Sequence, residues 1–486
     1  MNVHRRRQKH PEEPSLTGRR ARTLFTVATI VPWLGIVSLI GIRSSHCGQG
    51  PNSESTVQNS QSTSSSGSFQ RTTHPEAQWF ANAGLGLFVH FGLSSVDGRI
   101  DLSWGMMADT PWDKGAFKLT PQAYFQLAER FNPDHYDPDR WLRAAKQAGF
   151  RYAVMTTKHH EGFALWPSAY GDFSTKNFMG GRDLVKPYVE ACRANGLKVG
   201  LYYSPPDWHY NREHMSFRYH AEGVTNYVPY GLKHEPITLP NQTLEEQRRW
   251  DEEYRAYLRG QIEELLTRYG QIDLLWFDGG PEAISIDRIR ELQPGIVINP
   301  RMHGRADFTT AEGDFPGTKP AGWWELCSIW NSGGWGYTSG ERYRSTAAVL
   351  EEFSRVRAWG GNYLINVGPR PNGELPEVAY RRLSELAAWM QDSGVALMDT
   401  SPGAWPDDCN VPFTVKGNTR YLLVPPGFKT RVELRHTARP KEVRVLRTGA
   451  PVPFQFSGDE ASGTVSLDDP ARARSGLVDV VVVTVP

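Results

Sequence analysis

The chain reads as an α/β protein: a (β/α)8-like barrel followed by a C-terminal antiparallel β-sandwich. Three observations predict this. Between residues 74 and 400, short apolar runs alternate with longer amphipathic stretches, the pattern of a parallel sheet covered by helices, and so many repeats favour closure into a barrel. After residue 400 the helical period stops, and strand-like runs are separated by Pro, Gly and Asp. Finally, 486 residues exceed what one core organises. At roughly 100–200 residues per domain there is room for a barrel of about 250 and a smaller unit.

Residues 1–47 carry the marks of a signal or anchor segment. Arg5, Arg6, Arg7, Arg19, Arg20 and Arg22 precede an apolar run over residues 24–42. That run is longer than the roughly 7–15 residues of a secretory h-region and close to the about 20 that span a bilayer. The basic flank stays cytoplasmic, which sends the rest of the chain outward and allows a membrane tether. Residues 48–73 are rich in Ser, Gln, Thr, Asn and Gly with almost nothing apolar. Such a linker cannot offset its ordering entropy.

From residue 74 the barrel pattern begins. Strands are predicted at 85–91 (LGLFVHF), 152–156, 198–203 (KVGLYY), 272–277 (IDLLWF), 296–299 and 363–367 (YLINV). Helices are predicted at 121–130, 138–148, 182–195, 244–269, 285–292, 346–359 and 376–391. The longest sets Trp250, Tyr254, Tyr257, Leu258, Ile262, Leu265 and Leu266 at helical spacing. Beyond residue 400, runs at 413–415, 421–424, 431–434, 442–446, 463–467 and 477–485 form the sandwich, for which a packing or sugar-contact role is expected.

Composition narrows the function. The charges nearly cancel, 54 basic against 53 acidic, which argues against a nucleic-acid binder. Four cysteines, with Cys47 outside the folded region, exclude a disulfide scaffold. A large enzyme or an extended binding protein remains.

In a parallel barrel the active site lies at the C-terminal ends of the strands. Chemistry-capable residues stand there repeatedly: His90; Lys158, His159, His160 and Glu161; Tyr202, Tyr203, Asp207 and Trp208; Asp278; Asn299 and Arg301; Asn366 and Arg370. Each alone has an ordinary explanation. Asp278 precedes two glycines, a common turn, and a histidine is often a satisfied core group. Six such groups at matching positions point to one convergent polar site. Asp278, behind the apolar run LLWF, fits a carboxylate nucleophile or base. His159 and His160 are adjacent and on a strand point to opposite faces, which disfavours a shared metal. No HExxH or His-x-His spacing completes a metal set. Hydrogen bonding to ligand hydroxyls is the preferred role, and neither metal nor cofactor is expected.

Sixteen tryptophans add a second signal. Trp166, Trp208, Trp276, Trp324, Trp330 and Trp335 lie in loops or at strand ends beside the polar candidates, and aromatic faces suit the C–H face of a sugar. A protein that only binds glycans would show the same surface. Glycoside hydrolysis takes two carboxyl groups, about 5–5.5 Å apart in retaining enzymes and about 6.5–9.5 Å apart in inverting ones. Glu282, Glu312 and Glu325 are candidates for the second. Glu282 also reads as a helix-start residue, and Glu325, between Trp324 and Leu326, reads as structural. Glu312, in a loop-rich stretch, leads.

Taken in order, GLGLFVHFG, TTKHHEGFALWPS, GLYYSPPDW, LLWFDGG, INPR, TAE and NYLINVGPRPNGELPE resemble glycoside hydrolase family 29, the retaining α-L-fucosidases. The similarity covers about residues 75–400, and KHHEGFALWPS and INVGPRPNGELPE are its most distinctive stretches. The resemblance implies a (β/α) barrel with a C-terminal β-sandwich, and an exo-acting enzyme that removes terminal α-L-fucose from a fucosylated glycan by double displacement. Carried across by motif, it implies Asp278 as nucleophile and Glu312 as acid/base. It also implies sugar contacts from His90, His159, His160, Tyr203, Trp276 and Arg301, and places Trp335 of GWGY near the fucose methyl. The chain departs from the family at Leu102-Ser103-Trp104-Gly105-Met106, where Glu-Trp-Tyr is usual, so a ligand-contacting glutamate is missing. The alternatives are a catalytically silent glycan-binding barrel, a retaining glycosidase for a related sugar such as α-galactose, and a metal-assisted hydrolase using the histidine pair.

Overall fold

The structure, a computed structural model, describes residues 70–111, 117–219, 227–468 and 475–486. The expected signal or anchor segment and nearly all of the linker lie outside the described residues. Eight parallel strands form one curled sheet: β1 (Leu85–Val89), β2 (Tyr152–Lys158), β3 (Lys198–Tyr203), β4 (Leu274–Phe277), β5 (Val297–Ile298), β6 (Thr309–Glu312), β7 (Trp324–Ile329) and β8 (Asn362–Val367). Their order is β5-β4-β3-β2-β1-β8-β7-β6. The sequence reading places six of these strands and misses β6 and β7.

Among the described residues, six α-helices of seven residues or more cover the sheet. α1 (Pro138–Gln147) starts where the Asp137 side chain accepts from the Arg140 amide, with a proline at the position whose N–H would have no partner anyway. α2 (Val185–Ala194) follows β2, and α3 (Leu244–Arg268), opened by a Thr243/Glu246 capping box, follows β3. α4 (Ile286–Leu292) leads into β5, α5 (Thr346–Ala358) into β8, and α6 (Glu377–Ser393) closes the series.

Side chains alternate across each strand, as the pleat requires. Phe88, Tyr152, Val154, Tyr202, Leu274, Trp276, Val297, Cys327 and Leu364 fill the inside of the curl. Leu87, Ala153, Met155, Leu201, Tyr203, Leu275 and Phe277 belong to the outer layer packed under the helices.

Strand pairing does not close the ring. β5 is only two residues long, and Asp307 makes the join towards β6. Its amide donates to the Ile298 carbonyl (3.0 Å), and its carboxylate accepts from the amides of Ile298 (2.9 Å) and Thr72 (2.8 Å) and from Arg290 Nη2 (2.7 Å). Among the described residues, no helix lies between β5 and β7.

The C-terminal region holds β9 (Ser401–Pro402), β10 (Phe413–Lys416), β11 (Thr419–Val424), β12 (Val432–Thr437), β13 (Glu442–Val445), β14 (Gln455–Asp459), β15 (Ser462–Leu467) and β16 (Asp479–Thr484). They form antiparallel sheets ordered β13-β16-β11-β10-β9 and β12-β15-β14. Leu422, Val424, Val481 and Val483 enter the core between these sheets, whereas Tyr421, Leu423, Val480 and Val482 join the barrel's core. That two-sided burial explains the unbroken apolar run of β16. Trp389 Nε1 of α6 donates to the Val478 carbonyl (2.8 Å) across the junction. Cys192, Cys327 and Cys409 are free and buried. No described helix is long and apolar enough to cross a membrane.

Candidate active site

The C-terminal rim of the sheet gathers polar side chains from almost every strand. Asp278 follows β4 with its parity, so Leu274, Trp276 and Asp278 all face inward. Asn299, which the sequence places at a strand end, is fully buried and braces that turn: its Oδ1 accepts from the Phe277 amide and its Nδ2 donates to the Phe277 carbonyl, both at 2.8 Å. The Asp278 carboxylate takes Arg301 Nη1 at 2.9 Å and the Tyr202 hydroxyl at 2.8 Å, and faces His160 Nε2 at 3.5 Å. Burial alone would raise its pKa. The adjacent Arg301 charge and hydrogen bond outweigh that and hold the carboxyl well below the usual range, so it is ionised at neutral pH.

Glu312 ends β6, and its Oε2 accepts from Arg301 Nη2. Its side chain is 44% exposed, against 23% for Asp278. One guanidinium therefore spans both carboxylates, one terminal nitrogen to each. That fork brings the two carboxylates to the same part of the rim. The Arg301 guanidinium also lies over the Trp276 ring at 4.5 Å.

The histidines are oriented by neighbours. Asn366 donates its Nδ2 to the Trp335 carbonyl (2.6 Å), so its Oδ1 is the acceptor facing His90 Nδ1 (2.6 Å). His90 is therefore an Nδ1–H tautomer with Nε2 free to accept. Burial, and then the neighbouring His159, push its pKa down to about 3. His160 is likewise pushed to about 3 by burial and His159, and its Nδ1 meets the Ser204 hydroxyl. His159 Nδ1 meets the Ser103 hydroxyl at 2.7 Å and faces Glu161 Oε2 at 3.5 Å. Trp208 stacks on His160 (5.3 Å), Trp104 meets both edge-on (5.7 and 5.2 Å), and Trp335 tilts against His90 (5.2 Å).

Several expectations change. Tyr203 does not face the site: it lies in the outer layer, its hydroxyl on Gln261 Oε1 of α3 at 2.9 Å, because adjacent strand residues point opposite ways. Tyr202 holds the inward position and touches Asp278. Its parity with Gly200, opposite Val199 and Leu201, is the sequence signal for that inward position. His159 and His160 are not split across a strand either. They lie just past β2, with ring centroids 4.3 Å apart, both turned to the rim. The turn is set by Gly162 at φ +91°, where a Cβ would stand 2.1 Å from Asp207 Oδ1. Asp207 is in turn buried on Lys158 Nζ (3.0 Å) and the Tyr257 hydroxyl (2.8 Å).

Of the six tryptophans, Trp166, Trp324 and Trp330 are core residues. Trp166 Nε1 is spent on Glu264 Oε2 at 2.8 Å. Trp276 is only 2% exposed and forms the floor. Glu325 is fully buried beneath it, accepting from Trp276 Nε1 (3.1 Å) and the Tyr152 hydroxyl (2.5 Å). Glu282 lies apart, in a groove with Arg255, Arg259 and Arg288. His159, His160 and Asp278 offer three possible ligand atoms within 4.8 Å of one another. Arg301, already bonded to Asp278, sets a positive charge against a divalent ion at that point.

A parallel barrel with two carboxylates, three histidines and aromatic walls on its C-terminal rim is the design of a glycoside hydrolase. A family model described as Alpha-L-fucosidase matches residues 51–395, and the chain belongs to that family. The tissue α-L-fucosidase of Bos taurus is 26% identical over 387 residues, spanning 72% of this chain and 75% of that protein. Among solved structures, α-L-fucosidase isoenzyme 1 from Paenibacillus thiaminolyticus is 31% identical, with a TM-score of 0.68 over 85% of this chain and 99% of that one. The Thermotoga maritima α-fucosidase in complex with fucose is 25% identical, with a TM-score of 0.64 over 84% and 97%.

Proposed function

We propose that this α-L-fucosidase is exo-acting and retaining, with Asp278 as nucleophile and Glu312 as acid/base. The observation that carries the reading is the Arg301 bridge between an ionised, part-buried Asp278 and an exposed Glu312. In the first step Asp278 attacks the anomeric carbon while protonated Glu312 gives its proton to the departing glycosidic oxygen. The new ester removes the charge of Asp278. Arg301 then faces Glu312 alone, and Glu312, left as a carboxylate by the first step, takes a proton from the attacking water. The water's oxygen bonds to the anomeric carbon, and Asp278 leaves as carboxylate. His90 Nε2 accepts a sugar hydroxyl, His159 and His160 flank the ring, and Trp335 offers an apolar face to the C6 methyl. Ser103, where the family usually has glutamate, is fully buried and its hydroxyl meets His159.

With an aryl α-L-fucoside, Asp278→Gly is expected to lose nearly all turnover. Glu312→Ala should lose far more on poor leaving groups than on activated ones, and azide should restore rate. Equal loss on both, without rescue, removes Glu312 from the role. A silent binder would bind fucose in calorimetry yet hydrolyse no aryl glycoside. We also infer that the chain works outside the cytoplasm, as a secreted, periplasmic or membrane-anchored protein. The six arginines ahead of the apolar run at 24–42 and the polar linker after it support this. Activity found only in the cytosolic fraction would refute it.

A further inference from the structure

Glu312 stands on the least supported strand of the sheet. β6 pairs with β7 alone, its residues are exposed or half-buried, and among the described residues no helix stands between β5 and β7 in the chain. Three residues on, the chain is pinned. The Gly313 amide donates to the Cys327 carbonyl (2.9 Å), and Phe315 then seats in an aromatic nest, with ring centroids 4.5 Å from Trp359, 6.1 Å from Trp324 and 6.1 Å from Trp405. The Arg355 guanidinium closes over the Phe315 ring at 4.1 Å.

The nest is itself cross-linked. Trp324 Nε1 donates to the Trp359 carbonyl (3.2 Å), and Trp359 Nε1 donates to the Trp405 carbonyl (2.9 Å). Trp405 packs against the core of the C-terminal sandwich. A continuous run of contacts thus joins that sandwich, through α5 and the start of β7, to the segment that leaves Glu312.

We propose that Phe315, seated on Trp359 and Trp405, is a positioning residue for Glu312, so that the C-terminal sandwich takes part in the acid step. This rests on the assignment of Glu312 as acid/base. Phe315 anchors the segment that leaves β6. Without it, the segment keeps the β6–β7 ladder, the Gly313 amide on Cys327 and the Arg301 contact, and a displacement of about 1 Å at a catalytic group costs on the order of 100-fold.

The test compares Phe315→Ala, and the milder Arg355→Gln at the exposed lid of the nest, with Glu312→Ala across aryl α-L-fucosides of graded leaving-group acidity. Phe315→Ala is expected to lower kcat/KM roughly 10- to 100-fold for poor leaving groups and less than about threefold for activated ones. Arg355→Gln should show the same gradient more weakly. Combining Phe315→Ala with Glu312→Ala should add no loss on poor leaving groups beyond Glu312→Ala alone, since both act on one proton transfer. If Glu312→Ala shows the gradient but both nest variants slow all substrates equally, or change only Tm, the positioning role is overturned while the acid assignment stands. If Glu312→Ala itself shows no gradient, the assignment fails and the positioning role fails with it.

Discussion

Tyr202 and Tyr203 are chain neighbours with opposite duties, and the difference is measurable. Tyr202→Phe removes a hydrogen bond to the charged Asp278, an interaction of about 1.5–3 kcal/mol. Its kcat/KM should fall by roughly 10- to 100-fold with little change in Tm. Tyr203→Phe removes a bond to Gln261 in the outer layer. It should cost about 1 kcal/mol of stability and leave kcat/KM near that of the parent. The reverse pattern would mean the faces of β3 are misassigned. The titrating groups make a second prediction. His90 and His160 fold as neutral imidazoles, held by burial at about 3 against 6.5 when unfolded. Above pH 6.5 neither state binds the extra proton and their contribution is constant. From 6.5 down towards 3 only the unfolded chain takes it up, and stability drops by about 1.4 kcal/mol per pH unit for each. Glu325 works the other way. Burial, against the Tyr152 and Trp276 hydrogen bonds, holds its carboxyl at about 7 rather than 4.5, so stability falls as pH rises between those values. Glu325→Gln deletes that second slope. Denaturant midpoints at pH 5 and pH 7 should show the variant gaining on the parent at the higher pH, and an unchanged gap would refute a neutral Glu325.

At the scale of elements, the seam beside β5 depends on one side chain. Asp307 satisfies two backbone amides and Arg290 there. Asp307→Ala removes the acceptor of two backbone amides and of Arg290 Nη2, at a cost on the order of 2–5 kcal/mol, readable as a lower denaturant midpoint. A shift of under about 1 kcal/mol would show that strand pairing rather than Asp307 holds the seam. Legibility also varied by element. β1 to β5 and β8 show as short apolar runs because both faces are buried. β6 reads Thr-Thr-Ala-Glu, with no apolar signal, because it is an exposed edge. β7 hides behind Glu325, an ionisable residue in a strand interior whose carboxyl is satisfied by the distant Tyr152 and Trp276. The catalytic candidates were legible because Asp278, His90 and Arg301 follow recognisable strands. In the sequence Ser103 stands out only as a departure, since its partner His159 lies 56 residues away.

For the whole molecule, the five-stranded sheet is buried on both faces, one against its own core and one against the barrel. We expect a chain ended after residue 400 to be insoluble, because Trp389 and the apolar surface under β11 and β16 would be left open to water. Recovery of a soluble, cooperatively melting fragment 70–400 would contradict that. The break in the ring has a consequence for ancestry. Asp278 is woven between β3 and β5, and any insertion there unravels the sheet; Glu312 hangs from the free margin, where added or lost residues disturb no ladder beyond it. Divergence in chain length is therefore cheap beside Glu312 and costly beside Asp278.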